Sequence, residues 1–126
     1  MIERWSTHPF DLCDPYKRFK KSNFNYFLKD PQNGIVIGYW DAEDGYEDLG
    51  EEGFHEIIHV MEGRLFVMVN GREEIAHKGD TVVIKNGQHS RIIVRGHVKA
   101  LFVCYAMDDV EEYEENVRRK CRELGF

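Results

Sequence analysis

The sequence predicts an all-β fold, an antiparallel sandwich or barrel carrying one C-terminal helix. Between Gly34 and Tyr105, short runs of branched and aromatic residues alternate with turn dipeptides. After Met107 the apolar period changes from 2 to 3.6. The chain has 126 residues and is 42% hydrophobic, with 8 Phe, 6 Tyr and 2 Trp, enough side-chain volume for one sizeable core and hardly two. A chain of this size buries roughly two-thirds of its unfolded surface, so it needs no staples.

Residues 1–33 read as an N-terminal arm. Turn signals stand at Asp14-Pro15 and from Asp30 to Gly34, and one short strand, Asn23 to Leu28, fits between them. The basic cluster Lys17-Arg18-Phe19-Lys20-Lys21 reads as a solvated flank.

Residues 34–106 form the β-barrel, with runs GIVIGYW, FHEIIHVM, RLFVMV, REEIAH, DTVVIK, SRIIVR and HVKALFVCY. Asn70-Gly71 is the dipeptide of a two-residue type I′ hairpin, and Glu62-Gly63, Lys78-Gly79-Asp80, Asn86-Gly87 and Arg95-Gly96 supply further bends. Between the first two runs, DAEDGYEDLGEE carries seven carboxylates from Asp41 to Glu52 and no cation. It lacks the ligand rhythm of a calcium loop and reads as a solvated acidic loop at the lip of the sheet.

Residues 107–126 hold the helix, over about 108–124. Val110, Tyr113, Val117, Cys121 and Leu124 share one stripe, Asp108 and Glu111 form a capping-box-like start, Glu114 and Arg118 an i,i+4 pair, and Gly125 a stop. The stripe packs on the barrel or on a partner chain. The three segments make one structural domain.

Charge excludes one class of function. Lys and Arg total 17 against 23 Asp and Glu, a net charge of −6, the wrong sign for a protein that lives on phosphate backbones. No apolar run approaches the roughly 20 residues that span a bilayer, and the start MIERWSTHPFDL has no signal-peptide stretch, so a cytoplasmic protein without nucleic-acid or membrane partners is expected. Three cysteines without CxxC spacing read as reduced thiols.

His55-Glu56-Ile57-Ile58-His59 matches H-E-x-x-H, a zinc-hydrolase signature in which a helix sets both histidines on one face and the glutamate activates water. The chemistry needs the helix, because residues four apart on a strand lie about 13 Å from each other. Gly50 and Gly53 upstream, and Glu62-Gly63 downstream, bound a run of strand length. As a strand, it points Glu56, Ile58 and Val60 one way and His55, Ile57 and His59 the other.

Read this way, the stretch from Gly34 to Ala106 resembles the cupins. Their first motif ends in a metal-binding Glu, six residues and a Gly, here Glu56 to Gly63; Lys78-Gly79-Asp80 through Gly87 is similar to their second motif. GYWDAEDG and the acidic stretch after it look most like the small single-domain group with ethanolamine-utilisation-type and ureidoglycine-aminohydrolase-type sequences. The resemblance implies a jelly-roll barrel with a small-molecule pocket. Its histidine set is incomplete: Leu49-Gly50-Glu51 stands where His-x-His is usual, and the last ligand position falls on Ser90, with His89 one place early.

The expected site has Glu56 as acid/base or metal ligand, the alternative being a carboxylate at the wet mouth of the barrel. His89 assists, and Tyr39, Ile58, Ser90 and Arg91 contact the ligand. Glu56 and His89 hold at most a weakly bound divalent metal. The expected function is binding of a polar metabolite, with or without chemistry on it. The alternatives are a non-catalytic sensing or assembly module and the zinc hydrolase built on His55, Glu56 and His59. A homodimer paired through the outward face of His55, Ile57 and His59 is expected.

Overall fold

The computed structural model describes residues 19–123, in six strands and one helix: β1 Lys21–Asp30, β2 Ile35–Leu49, β3 His55–Val69, β4 Arg72–His77, β5 Thr81–Ile84, β6 Ser90–Tyr105 and α1 Val110–Glu123. The Asp14-Pro15 turn, Cys13, the first half of the basic cluster, Leu124 and the Gly125 stop lie outside the described residues.

All pairings are antiparallel. The sheet order is β1-β2-β6-β3-β4, with β5 also on β3. Strand β3 pairs with β6 along its length on one side; on the other it takes β5 over its first half and β4 over its second. Among the described residues the ladder does not return to its first strand, so the sheet folds around its core without the hydrogen-bonded closure of the expected barrel.

Several expected strands are longer than their sequence runs, because a bend did not end them. GIVIGYW continues through most of the acidic stretch as β2 to Leu49, where a solvated loop was expected. The acids there find partners on β6. Asp41 Oδ1 lies 2.7 Å from His97 Nε2, and Asp48 receives Arg91 Nε at 2.7 Å and Nη2 at 3.2 Å. Charges far apart in sequence thus lie across one ladder, which favours pairing over solvation as a loop.

FHEIIHVM and RLFVMV fuse into β3, and SRIIVR and HVKALFVCY into β6. The interruptions align. Asp44 has φ 25°, Gly63 φ 76° and Gly96 φ 92°, and in register Glu43 faces His97, Gly45 faces Val94, and Gly63 faces Val98. The Gly96 N–H donates to Asp44 Oδ1 at 2.7 Å. One line of bulges therefore crosses three neighbouring strands and turns them together.

Alternate residues of β2, β3 and β6 fill the core: Val36, Trp40 and Ala42; Ile58, Val60 and Leu65; Val94, Val98, Ala100 and Phe102. Trp40 is buried because its indole N–H reaches Ser22 Oγ at 2.9 Å. The arm strand, expected over Asn23–Leu28, extends to Lys21–Asp30 and pairs with β2. Asn70 and Gly71 have φ 52° and 76°, as a type I′ turn requires.

Helix α1 starts one residue later than the capping-box reading. Asp109, not Asp108, caps it, its Oδ1 accepting the Glu112 N–H at 2.9 Å. Val110 enters the core, and Tyr113 lies edge-on to Phe54 and to Tyr26, so this first part of the stripe packs on the sheet; the side chains of Val117 and Cys121 lie outside the described ones. Glu114 binds Lys29 Nζ of β1 at 2.9 Å, fastening the helix to the arm strand. Among the described residues no helix is long and apolar enough to cross a membrane.

Gly63 and Gly71 share φ 76°, but a Cβ at Gly63 would run into the His97 carbonyl, whereas nothing lies within 4 Å of one at Gly71. Gly71→Ala should therefore cost only the left-handed backbone penalty, about 1–2 kcal/mol. Gly63→Ala should cost about 3 kcal/mol or more, because the bulge line must open. Urea denaturation of the two variants measures the difference, and equal losses would mean that the bend does not depend on close approach at Gly63.

Candidate functional site

Strand β3 carries the H-E-x-x-H residues in extended conformation, which removes the helical face that a zinc hydrolase needs. His55 turns outward, where its Nδ1 accepts the Asn86 N–H at 2.9 Å and its ring lies 5.0 Å from that of Tyr105. His59, also outward, has Nδ1 2.9 Å from Thr81 Oγ1 of β5. Neither shares a face with Glu56.

Glu56 points inward, beside Cys104 of β6 and Ile84 of β5 in register. It opens into a cavity of about 430 Å³ between the inner sheet face and α1. Volumes of this order hold small metabolites. The cavity wall has two chemistries. Phe24, Tyr26, Trp40, Phe54, Phe102 and Tyr113 make an aromatic surround, and Glu47, Asp48, Glu51, Glu52 and Glu56 bring carboxylates to it. The rings brace one another: Phe24 and Phe102 are 5.7 Å apart, Tyr26 and Phe102 5.4 Å, and the hydroxyls of Tyr26 and Tyr113 lie 3.0 Å from each other.

Burial raises the Glu56 carboxyl from its ordinary 4.5 to about 8, and the charge of Glu52 pushes the same way. The Cys104 thiol, donating from 3.9 Å, opposes the rise only weakly. Cys104 itself is held well above its usual range, first by burial and then by Glu56, so it is a neutral thiol. Burial likewise lifts Tyr113 well above the ordinary phenol value. At neutral pH Glu56 therefore holds a proton that it can exchange close to the working pH, the property of a general acid or base.

The expected site residues separate. Glu56 and Ile58 are on the cavity wall. Trp40 lines it instead of Tyr39, which lies on the outer face against Phe27 at 5.0 Å. Ser90 is buried with its hydroxyl donating to the Gln88 carbonyl at 3.2 Å, and is absent from the wall. Arg91 is exposed, paired to Asp48 and stacked 4.4 Å over the Tyr46 ring. His89 is exposed too, 3.5 Å from Glu51. It stands just before β6 and does not line the cavity. Among the wall residues that sequence reasoning did not bring to the site are Phe24 and Tyr26 on β1, Phe54 before β3, Phe102 and Cys104 on β6, Tyr113 on α1, and Glu52. The alternation of Phe24 and Tyr26 was a readable sign of one face, but nothing local to the others marks them.

A metal of the kind cupin sites hold needs converging histidines or a comparable donor set. The cavity wall has none, and among the described residues no group of three or more His, Cys, Asp or Glu is arranged to hold an ion. Glu56 and His89 do not meet, so the expected two-residue metal site does not fit this geometry.

The architecture is an antiparallel sheet folded around a small cavity, with a Glu-bearing strand followed by a glycine corner. Residues 48–105 match the family model Cupin_2, described as Cupin domain, and the chain has the fold of a cupin. Its fold is similar to that of the EutQ protein of Clostridium difficile, with 18% identity, TM-score 0.65 and coverage of 80% of each chain. It is also similar to a putative ethanolamine utilisation protein Q from Salmonella typhimurium, with 23% identity, TM-score 0.56 and coverage of 68% of each. KdgF from Halomonas sp. shares the fold at 10% identity and TM-score 0.59, over 82% of this chain and 86% of that one. No curated protein matches the sequence.

The raised Glu56 pKa has a consequence for stability. Between pH 4.5 and about 8 the folded chain keeps a proton that the unfolded chain has released. Stability from this group is complete below the unfolded value and falls as pH rises, by up to about 1.4 kcal/mol per unit, levelling off above the folded value. Glu56→Gln should remove that slope and be the more stable form at pH 9. Melting curves of both proteins from pH 5 to pH 9 test this, and parallel profiles would contradict a proton held on Glu56.

Proposed function

We propose that this chain binds a small polar metabolite in the cavity and exchanges a proton with it through Glu56. The observation that carries the reading is a single carboxyl, raised to about 8, set in a cavity with aromatic walls. A group with that pKa donates a proton or hydrogen bond below the value and accepts one above it, without help from a second residue. The fold is shared by proteins of different names, so it does not choose between an enzyme and a sensor. The proton on Glu56 favours the enzyme, since a purely sensing pocket gains nothing from a carboxyl tuned to neutral pH.

The same reading takes the chain as one structural domain: arm strand, sheet and helix share the ring contacts of Tyr26 with Phe102 and Tyr113. The buried free thiol of Cys104 is consistent with a cytoplasmic protein. For a homodimer, the support is apolar side chains on the outer strands, Ile75 being 45% and Val83 47% exposed. Sedimentation should give about twice the monomer mass of 14.9 kDa; a monomer at micromolar concentration would remove the dimer.

A metabolite library screened by thermal stabilisation tests the binding function. A ligand at a hundred times its dissociation constant should add about 2.7 kcal/mol. A true hit should shift the NMR signal of the Trp40 indole N–H, and Glu56→Gln should weaken it at least tenfold. Hits that leave Trp40 unmoved, or that bind the variant equally well, would overturn the assignment of the cavity.

A further inference from the structure

The cavity wall has sixteen residues, five of them Asp or Glu and none of them Lys, Arg or His. Two of the five carboxylates have partners outside the wall, Asp48 the Arg91 guanidinium at 2.7 Å and Glu51 the His89 imidazole at 3.5 Å. Glu52 and Glu56 are served differently. Glu52 Oε2 accepts the Gly50 N–H at 2.8 Å, and Glu56 Oε2 faces the Cys104 thiol at 3.9 Å, both neutral donors. Among the described residues no ion pair reaches either one. The charge of Glu52 disfavours charge on Glu56.

On its own, Glu56 avoids the cost of a buried charge by keeping its proton; a cation beside it lets that proton leave to water and the carboxylate form. A bare metal ion is a poor answer, because it demands several oxygen, nitrogen or sulfur donors at short range, and no such group converges among the described residues. The remainder of the wall is aromatic: six rings, with the Tyr26 and Tyr113 hydroxyls paired at its helix side. Aromatic faces attract cations whose charge is spread over an apolar envelope, and they tolerate alkyl groups that a hydrated ion lacks. The volume, about 430 Å³, equals the liquid share of roughly fourteen waters, far more than one ion fills.

We propose that the ligand of this cavity is an organic ammonium ion, its positive nitrogen held between Glu52 and Glu56 and its carbon portion against the aromatic wall. The proposal rests on the cavity being the binding site and specifies the charge of what enters. It excludes carboxylated and phosphorylated metabolites, because no Lys, Arg or His lines the wall to receive them.

The test uses probes of matched size and different charge: n-butylammonium, tetramethylammonium, n-pentanol and pentanoate, titrated at constant ionic strength and read by calorimetry and by the Trp40 indole signal. At least one ammonium probe should bind at least tenfold more tightly than the alcohol, with no binding of pentanoate. Glu52→Gln and Glu56→Gln together should abolish that preference while leaving the alcohol affinity within twofold. Glu73→Gln, which removes a carboxylate paired with Arg95 elsewhere on the surface, should leave the preference intact. Equal binding of alcohol and ammonium, or effects reproduced by potassium chloride, would overturn the proposal. So would no ammonium binding at tens of millimolar. Pentanoate binding that moves Trp40 would overturn the cation class while keeping the cavity as the site; if neither these probes nor any library compound moves Trp40, both readings fall.

Discussion

The fold depends on one line of bulges. At Asp44, Gly63 and Gly96 three adjacent strands leave regular extended geometry at matching positions, and a hydrogen bond from Gly96 to Asp44 ties two of them together. Had any one strand continued straight, its hydrogen-bonding neighbours would have been pulled flat with it, and the inner faces of β2, β3 and β6 would lie open to water. Bent together, they bring Trp40, Ile58 and Phe102 into a common core. Gly63 is the tightest point: its Cα hydrogen faces a carbonyl where no side chain fits.

The bend also creates the cavity. Glu56 lies seven residues before Gly63 on the same strand, on the inward face, opposite Cys104. Helix α1 covers that face through Val110 and Tyr113 and is fixed to the arm strand by the Lys29–Glu114 bond. The carboxyl is thus enclosed by elements from both ends of the described chain. Enclosure, more than any neighbouring charge, lifts its pKa, since burial is the largest influence and Glu52 the second. The same burial silences Cys104 and Tyr113 as acids, which leaves Glu56 as the group on the wall with a proton to exchange near neutral pH.

The outer face has different work. Its histidines and arginines stabilise: His59 with Thr81, His97 with Asp41, Arg91 with Asp48, Arg95 with Glu73. These exposed pairs contribute little each, but they fix which acids of the crowded β2 stretch turn outward. Asp41 and Asp48 are drawn to β6, Asp48 from the rim of the same cavity wall that Glu47 and Glu52 line.

The chain's alternation, its glycine turns and its change of period determined an antiparallel sheet with one terminal helix, the cupin class, the strand character of His55 to His59 and the inward direction of Glu56. These are local properties, set by side-chain period and by backbone angles that a few residues impose. Tertiary structure decided that the runs on either side of Gly63 and Gly96 are single bent strands, that the acidic stretch is strand and not loop, and that the ladder stays open. It also decided that Trp40 and not Tyr39 faces the cavity, and that His89 and Arg91 do not. A glycine followed by a new apolar run looks the same in sequence whether the chain turns back or bulges onward; only the neighbouring strand, more than thirty residues away at His97 and Val98, distinguishes the two, because it is the hydrogen bonds of that strand that carry the register through the bend.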